Sequence, residues 1–451
     1  MRIQSIKIEN LFDIFDYDIS FKPDENVLLI TGPNGYGKTT ILSIIYHLFN
    51  RKFFFFQKLV FDKITVRLDD NIKIVITRVK VKQKRLFDKN STFSTSKVEV
   101  ELYQNNAQFD KFIYPNFSTD TNQSIGRIIS DLPITQFSEN EWIDLRNNKI
   151  LSVEELISEY EYQFPPSMRR NIFEIKSQKS TDILDSIQVH LIREQRLFKK
   201  ALVKGNNRRF LGNEEAQSVM VDTIQTYADE LKQFIGDVSQ KSFAKTQELD
   251  SNYPKRLTNT NTSDILKKDE YEEKYKELED KQRRLHKFGL YESIQEFLTY
   301  NEEDAKALTV YLRDFESKLN VFDELVEKLE LFTSVLNERR FTFKSIKING
   351  INGFYFETNK GKKLELSQLS SGEQHEVVLL YELIFNVKTN VLVLIDEPEI
   401  SLHVAWQKDF LSDLLKIIKI QNIQVLIATH SPSIINDRWD LVYNLEVTPN
   451  K

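Results

Sequence analysis

Cysteine is absent from the 451 residues of this chain. That excludes disulfides, thiolate metal sites and thiol nucleophiles together, and it suits a reducing, cytoplasmic compartment. No window holds about 18 uncharged apolar residues, so no membrane-spanning helix is expected. The first strand pattern begins at Ile3, so a signal peptide is not expected. A large excess of one charge is missing as well. The net charge is −5, which does not advertise nucleic-acid binding by the chain as a whole. Glycine nearly vanishes from 214 to 340, where charged residues dominate. What is present is ample core-forming material: 40% of residues are hydrophobic, which excludes general disorder. The length suits two or three ordinary domains, or one carrying a large insertion.

The most informative stretch is Gly32-Pro33-Asn34-Gly35-Tyr36-Gly37-Lys38-Thr39-Thr40. It follows the apolar run 27–30 and precedes a helical pattern over 41–49, so the order is strand, glycine-rich turn, helix. That is the context a phosphate-binding loop requires. Glycines let the backbone curl so that its N–H groups face phosphate oxygens, and the helix start adds its positive dipole end. Lys38 can reach the β- and γ-phosphates and the Thr39 hydroxyl can ligate Mg²⁺. A nucleoside triphosphate site is expected here.

The rest of the chain reads as a mixed α/β head interrupted by a helical segment. Residues 1–30 form a hairpin and a strand, and alternating segments at 59–68, 72–82 and 97–103 suggest an antiparallel β lobe. Residues 116–190 read as a mixture of short helices and loops that is hard to place, and 189–192 look like a buried strand. Met220, Ile224, Tyr227, Leu231, Phe234 and Val238 keep one seam along a long helix. Pro254 and a Thr/Asn run place a turn within 249–263. A return seam follows at Leu308, Leu312, Phe315, Leu319, Phe322, Val326, Leu329, Thr333 and Leu336, and Gly289 marks a break before it. The economical interpretation is a helical, coiled-coil-like hairpin projecting from the head; a helical subdomain packed on the head is the alternative. Strand and helix patterns resume at 341–356, 372–386, 391–395, 402–420 and 423–428. The expected division is 1–210 and 341–451 for the head and 211–340 for the insertion.

A second half of the site lies in that C-terminal part. The apolar run Val391–Ile395 ends in Asp396 and Glu397. Asp396 is placed to hold a Mg²⁺ shell and Glu397 to polarise an attacking water as general base. His430, in Ala428-Thr429-His430, follows another apolar strand and could touch a γ-phosphate. Leu369-Ser370-Ser371-Gly372-Glu373-Gln374 opens a helix whose start is a second anion site. One subunit needs only one such site for a triphosphate, so the second points to another subunit.

Together GPNGYGKTT, LSSGEQ, VLVLIDEPE and ATHSP resemble the ATPase head of ABC proteins in its SMC-like branch. The resemblance covers about 1–200 and 341–451, and the hairpin matches in architecture only. It implies an ABC-type P-loop head that binds ATP and Mg²⁺ and forms a head-to-head dimer sandwiching the nucleotides. Ser370 and Gly372 would then act across the interface, with Ser371 in place of the commoner glycine. Glu397 would be the base, and Ser401-Leu402-His403 an inter-subunit loop. The Q-loop glutamine, which contacts metal and water, would be Gln195, with Gln136 as the runner-up.

The separation of Lys38 from Ser370 is too long for a transporter subunit, and the hairpin is shorter than those of chromosome-organising members. His430 lies about twenty residues from the last residue, so the C-terminal nuclease domain of OLD-type ATPases is not expected. The profile is similar to stand-alone ATPase subunits of antiphage systems. IKIENLFDIFDYDISF and VHLIREQRLF resemble the sensor ATPases of PARIS systems most, with those of Septu systems next. That resemblance implies dimers assembling further around a separate nuclease, TOPRIM-type in PARIS, with a viral protein as trigger. A DNA-repair ATPase that clamps DNA is the alternative. Its motivation is two basic stretches, Arg78/Lys80/Lys82/Lys84 and Arg193/Arg196/Lys199/Lys200/Lys204/Arg208/Arg209. Solvated surface is the plainer account of both. A scaffold that binds ATP without turnover is the third reading, and Glu397 argues against it.

Overall fold

The computed structural model describes residues 1–22, 25–84, 92–114, 132–138, 141–145, 149–152, 156, 177–193, 197–203, 217–261, 264–291, 298–339, 341, 343–400 and 402–446. In chain order, β1 (Ile3–Leu11), β2 (Phe15–Ser20) and β3 (Val27–Thr31) lead into α1 (Lys38–Phe49) and α2 (Phe54–Lys58). Strands β4 (Lys63–Leu68), β5 (Ile72–Lys84), β6 (Thr92–Gln104) and β7 (Ala107–Tyr114) follow, then β8 (Ile134–Ser138), β9 (Glu141–Asp144) and β10 (Lys149–Ser152). Next come α3 (Gln178–Asp185), β11 (Val189–Ile192), β12 (Phe198–Val203) and β13 (Gln217–Asp222). Helices α4 (Thr223–Asn259), α5 (Lys268–Lys287), α6 (Ala305–Leu319) and α7 (Asp323–Arg339) precede β14 (Lys344–Asn349), β15 (Gly353–Thr358), β16 (Lys363–Leu364) and α8 (Ser371–Tyr381). The chain closes with β17 (Leu392–Asp396), α9 (Val404–Gln421), β18 (Gln424–Ala428), α10 (Pro432–Ile435) and β19 (Val442–Asn444). Two compact units result, one of 1–193, 388–399 and 414–451, the other of 194–387 and 400–413.

In the first unit, β11, β17, β18, β3 and β19 form a sheet in that order, every neighbouring pair parallel. The reason is legible in the strands. Val27–Ile30 and the whole of β17 and β18 are buried without alternation, as a sheet covered on both faces requires. Edge strand β11 is only half-buried at Val189 and Leu191, less than its apolar run suggests. The P-loop strand and the C-terminal strands thus share one sheet across the length of the chain, as expected. The first hairpin and the β lobe, by contrast, merge into one antiparallel sheet, β2-β1-β4-β5-β6-β7. Its inner face (Ile6, Ile8, Ile64, Val66, Ile74, Val100) joins Ile41, Ile44 and Ile45 of α1 in a single core. Each such side chain contributes about 1.5–3 kcal/mol, so α1 is firmly placed.

Strand β5 carries Arg78, Lys80, Lys82 and Lys84 at alternate positions, as read. Arg78 is half-buried, and the other three side chains lie outside the described ones. Of the second basic stretch, Arg193 is exposed; Arg196, Lys204, Arg208 and Arg209 lie outside the described residues, and Lys199 and Lys200 are described in backbone only.

In the second unit, α4 starts later than its seam suggested. Met220 belongs to β13, paired with Lys200 of β12. The helix begins at Thr223, where the Asp222 carboxylate accepts the Ile224 N–H. It then runs 37 residues to Asn259, through Pro254. The expected turn around Pro254 is therefore not formed: 249–259 are helical, and the helix stops only at Thr260, its C-cap. An interior proline costs about 3 kcal/mol. Local and tertiary contacts oppose that here: Leu249 is buried, and Arg256 donates to Leu249 O (2.5 Å) within the helix and to Asp314 of α6 (2.6 Å). Helix α5 ends at Gly289 (φ 64), with Gly289 N–H donating to His286 O and Leu290 N–H to Leu285 O, a Schellman stop.

All nine return-seam positions are buried, but they divide between α6 and α7 at a 3₁₀ turn, Asn320–Phe322. The root of the insertion does not stand free. Tyr227 of α4 stacks on Tyr381 of α8 at 4.5 Å, and Phe332 of α7 meets Phe354 of β15 at 5.8 Å. Gly353 (φ 67) faces α4 so closely that a Cβ would lie 1.9 Å from Ala228 O. The chain therefore adopts the mixed α/β class expected of it: a P-loop head of parallel sheet and antiparallel lobe, interrupted by a helical insertion.

Candidate functional site

Strands β17, β18 and β3 are neighbours, so the loops leaving their carboxyl ends converge. Such crevices are where open α/β sheets place ligands. The loop after β3 is held by Tyr17, whose hydroxyl donates to Tyr36 O (2.8 Å); burial pushes that phenol's pKa up. Gly37 caps α1 in the left-handed region, φ 86. A Cβ there would lie 3.2 Å from Leu11 and 3.3 Å from Phe12, so this position favours glycine twice over. The helix start carries no acidic residue in its first turn, leaving its N–H groups and dipole to attract an anion.

Lys38 is 5% exposed. Its ammonium donates to Gly32 O (3.0 Å) and Pro33 O (3.1 Å) and approaches His430 Nδ1 at 3.4 Å. An ammonium can only donate, so Nδ1 is the acceptor in that approach; Nε2 faces Glu397 Oε1 at 3.7 Å. Burial pushes the Lys38 pKa below its ordinary value, and Glu397, Asp396 and Glu399 pull it back up. Thr39 Oγ1 donates to Asp396 Oδ1 (3.1 Å), bringing together the hydroxyl and carboxylate that could share a cation's shell. Among the described residues no cluster of three or more His, Cys, Asp or Glu could hold a metal alone. Mg²⁺ held by one or two protein groups plus phosphate oxygens fits that donor set.

Glu397 has φ 45, a left-handed backbone on a non-glycine residue, pinned by its N–H to Ala428 O at 2.9 Å. Strain of this kind costs about 1–3 kcal/mol and persists where the surroundings dictate it. It aims the Glu397 carboxylate at His430. The structure thus brings Gly32–Thr40, Asp396, Glu397 and His430 to one crevice of the first unit. Ser370 and Gly372 lie in the second unit. There Ser370 caps α8, its hydroxyl accepting the Glu373 N–H (3.4 Å), while Glu373 Oε2 accepts from Ser370 N (2.8 Å) and Lys344 Nζ (2.8 Å). Gln195 and Ser401 lie outside the described residues. Gln136 is in β8, opposite Trp142, in a separate three-stranded sheet with β9 and β10. Sequence reasoning missed Glu399, whose carboxylate accepts the His430 N–H at 2.6 Å. The only signal was a further acid two residues beyond Glu397.

Comparison with known proteins adds four findings. A family described as AAA ATPase domain (AAA_15) matches residues 1–435. A retron Ec83 probable ATPase from Escherichia coli is 28% identical over 156 residues, which is 30% of this chain and 27% of that protein. Among solved structures, the Smc head domain with extended coiled coil from Pyrococcus furiosus, bound to the C-terminal domain of ScpA, is 12% identical. That match has a TM-score of 0.32 and covers 96% of this chain and 90% of that one. The SMC head domain from Thermotoga maritima is 11% identical, with a TM-score of 0.33 over 98% and 94%.

Proposed function

This chain belongs to the AAA ATPase domain family, and on that premise we propose that it hydrolyses ATP as an SMC-like, cytoplasmic subunit of an antiphage defence complex. The observation that supports turnover best is the convergence of Lys38, Thr39, Asp396, Glu397 and His430 in one unit. The amides of 32–40 and Lys38 bind the phosphates. Thr39 and Asp396, with Gln195, would hold Mg²⁺, which would neutralise phosphate charge. Glu397 takes the proton of the attacking water, and His430 contacts the γ-phosphate. Ser370 and Gly372 of a second subunit close the site, so ATP drives head-to-head pairing. Residues 1–210 and 341–451 form the head and 211–340 the insertion. Glu397→Gln tests this: phosphate release should fall about 10²–10⁴-fold while ATP-bound dimers accumulate. Unchanged release would refute the base assignment.

The defence role rests on the sequence resemblance and on the partial likeness to a retron ATPase. The resemblance is greatest to AriA, the PARIS sensor ATPase. On that reading the dimers assemble around a separate TOPRIM-type nuclease and release it when a viral protein binds. Co-expression with the neighbouring gene product decides it: a neighbour that is neither a nuclease nor otherwise toxic sinks the defence reading. The DNA-clamp alternative predicts binding that weakens steeply with salt, and a flat response counts against it.

A further inference from the structure

We propose that Glu399 is a positioning residue for ATP hydrolysis, fixing His430 through its backbone; this rests on the reading of His430 as a γ-phosphate contact. The turn at 398–400 follows Asp396 and Glu397, and it places a third carboxylate in the crevice. Glu399 Oε1 accepts the His430 N–H at 2.6 Å. The bond joins the loop after β17 to the loop after β18, across 31 residues of sequence. A hydrogen bond to an ionised acceptor is shorter and about twice as strong as a neutral one.

The imidazole it locates has little tolerance for movement. Its two nitrogens lie 3.4 Å from Lys38 Nζ and 3.7 Å from Glu397 Oε1, so a small shift of the His430 backbone breaks one approach or the other. The neighbouring residues are fixed by other means: Thr429 N–H donates to Ile30 O (3.1 Å) and Ser431 N–H to Thr429 Oγ1 (3.0 Å). At His430 itself the backbone amide goes to Glu399. Asp396 is taken by Thr39 and Glu397 faces the imidazole, which leaves the metal and base roles filled without Glu399. Crowding a third anion beside those two is unfavourable in itself. Accepting the His430 N–H gives it a distinct task.

The test is steady-state ATPase kinetics of the full chain. Glu399→Ala should lower kcat about tenfold with KM for ATP within about twofold, the signature of a transition-state interaction. Glu399→Gln, whose amide oxygen still accepts the N–H, should keep kcat within about threefold of the parent. In a His430→Ala background, Glu399→Ala should add no further loss, because coupled residues are not additive. Should Glu399→Ala fail to fold, Glu399→Asp, one methylene too short to reach, takes its place with the same expectation. Parent-like kcat for the shortened variant, or losses that multiply in the double variant, would overturn the proposal while leaving His430 intact. Parent-like kcat for His430→Ala would overturn the His430 reading and Glu399's task with it.

Discussion

Glu373 occupies the first turn of α8, where three groups act on one carboxylate. Burial pushes its pKa up; the 2.8 Å bond from Lys344 and those from Ser370 amide and hydroxyl outweigh that, and the net shift is downward from 4.5. The folded protein therefore binds fewer protons at Glu373 than the unfolded chain does in the window below pH 4.5. Its contribution to stability is complete above that value and is lost as pH falls through the lowered pKa. Glu373→Gln should flatten the acid-side decline of melting temperature without altering the decline's alkaline counterpart. Identical acid-side slopes in parent and variant would remove Glu373 from the account. Lys38 illustrates the converse balance: buried and cationic, it gives its hydrogens to two carbonyls of its own loop. Phosphate oxygens would replace those neutral acceptors with charged ones, which are stronger partners.

Among the elements, α4 departs most from sequence expectation. Pro254 leaves the helix one N–H short, yet the helix continues, and Arg256 ties its last turns to Asp314 of α6. Pro254→Ala should then stabilise the protein by about 1–3 kcal/mol, read as a higher urea midpoint at unchanged slope. A loss of stability would mean that the proline shapes the helix end rather than strains it. At the other end of α4, Gly353→Ala should cost more than about 3 kcal/mol, because a Cβ at 1.9 Å from Ala228 O forces α4 and β15 apart. Thermal melting of that variant measures the cost, and a change within about 1 kcal/mol would show that the two can separate without penalty.

At the scale of the whole molecule, the placing of the P-loop in one unit and Ser370 in the other bears on the proposed dimer. Lys38→Ala and Ser370→Arg should each abolish turnover as pure proteins. Mixed and allowed to exchange, the two should recover about a quarter of parental activity, since half of the two-fold dimers then hold one intact site of two. Activity that stays at background on mixing would argue that each chain completes its own site.

Much of this was legible in the chain itself. The P-loop, the Asp396-Glu397 pair, His430 and the Ser370 helix start are short contiguous motifs. Their geometry follows from local backbone rules: glycines for left-handed turns, apolar runs for buried strands, a serine for a helix cap. The burial of Leu308 through Leu336 was equally readable, because helical periodicity survives whether one helix or two carries it. Other features depended on partners distant in sequence. Met220 went to a strand because Lys200 pairs with it, and Pro254 stayed in a helix because Asp314 anchors Arg256. The hairpin and lobe became one sheet through the β1–β4 register. Glu399 acquired its role only when β17 and β18 paired and brought His430 within reach. Motif chemistry is written locally, whereas tertiary pairing decides which local preference is overridden and which side chains meet.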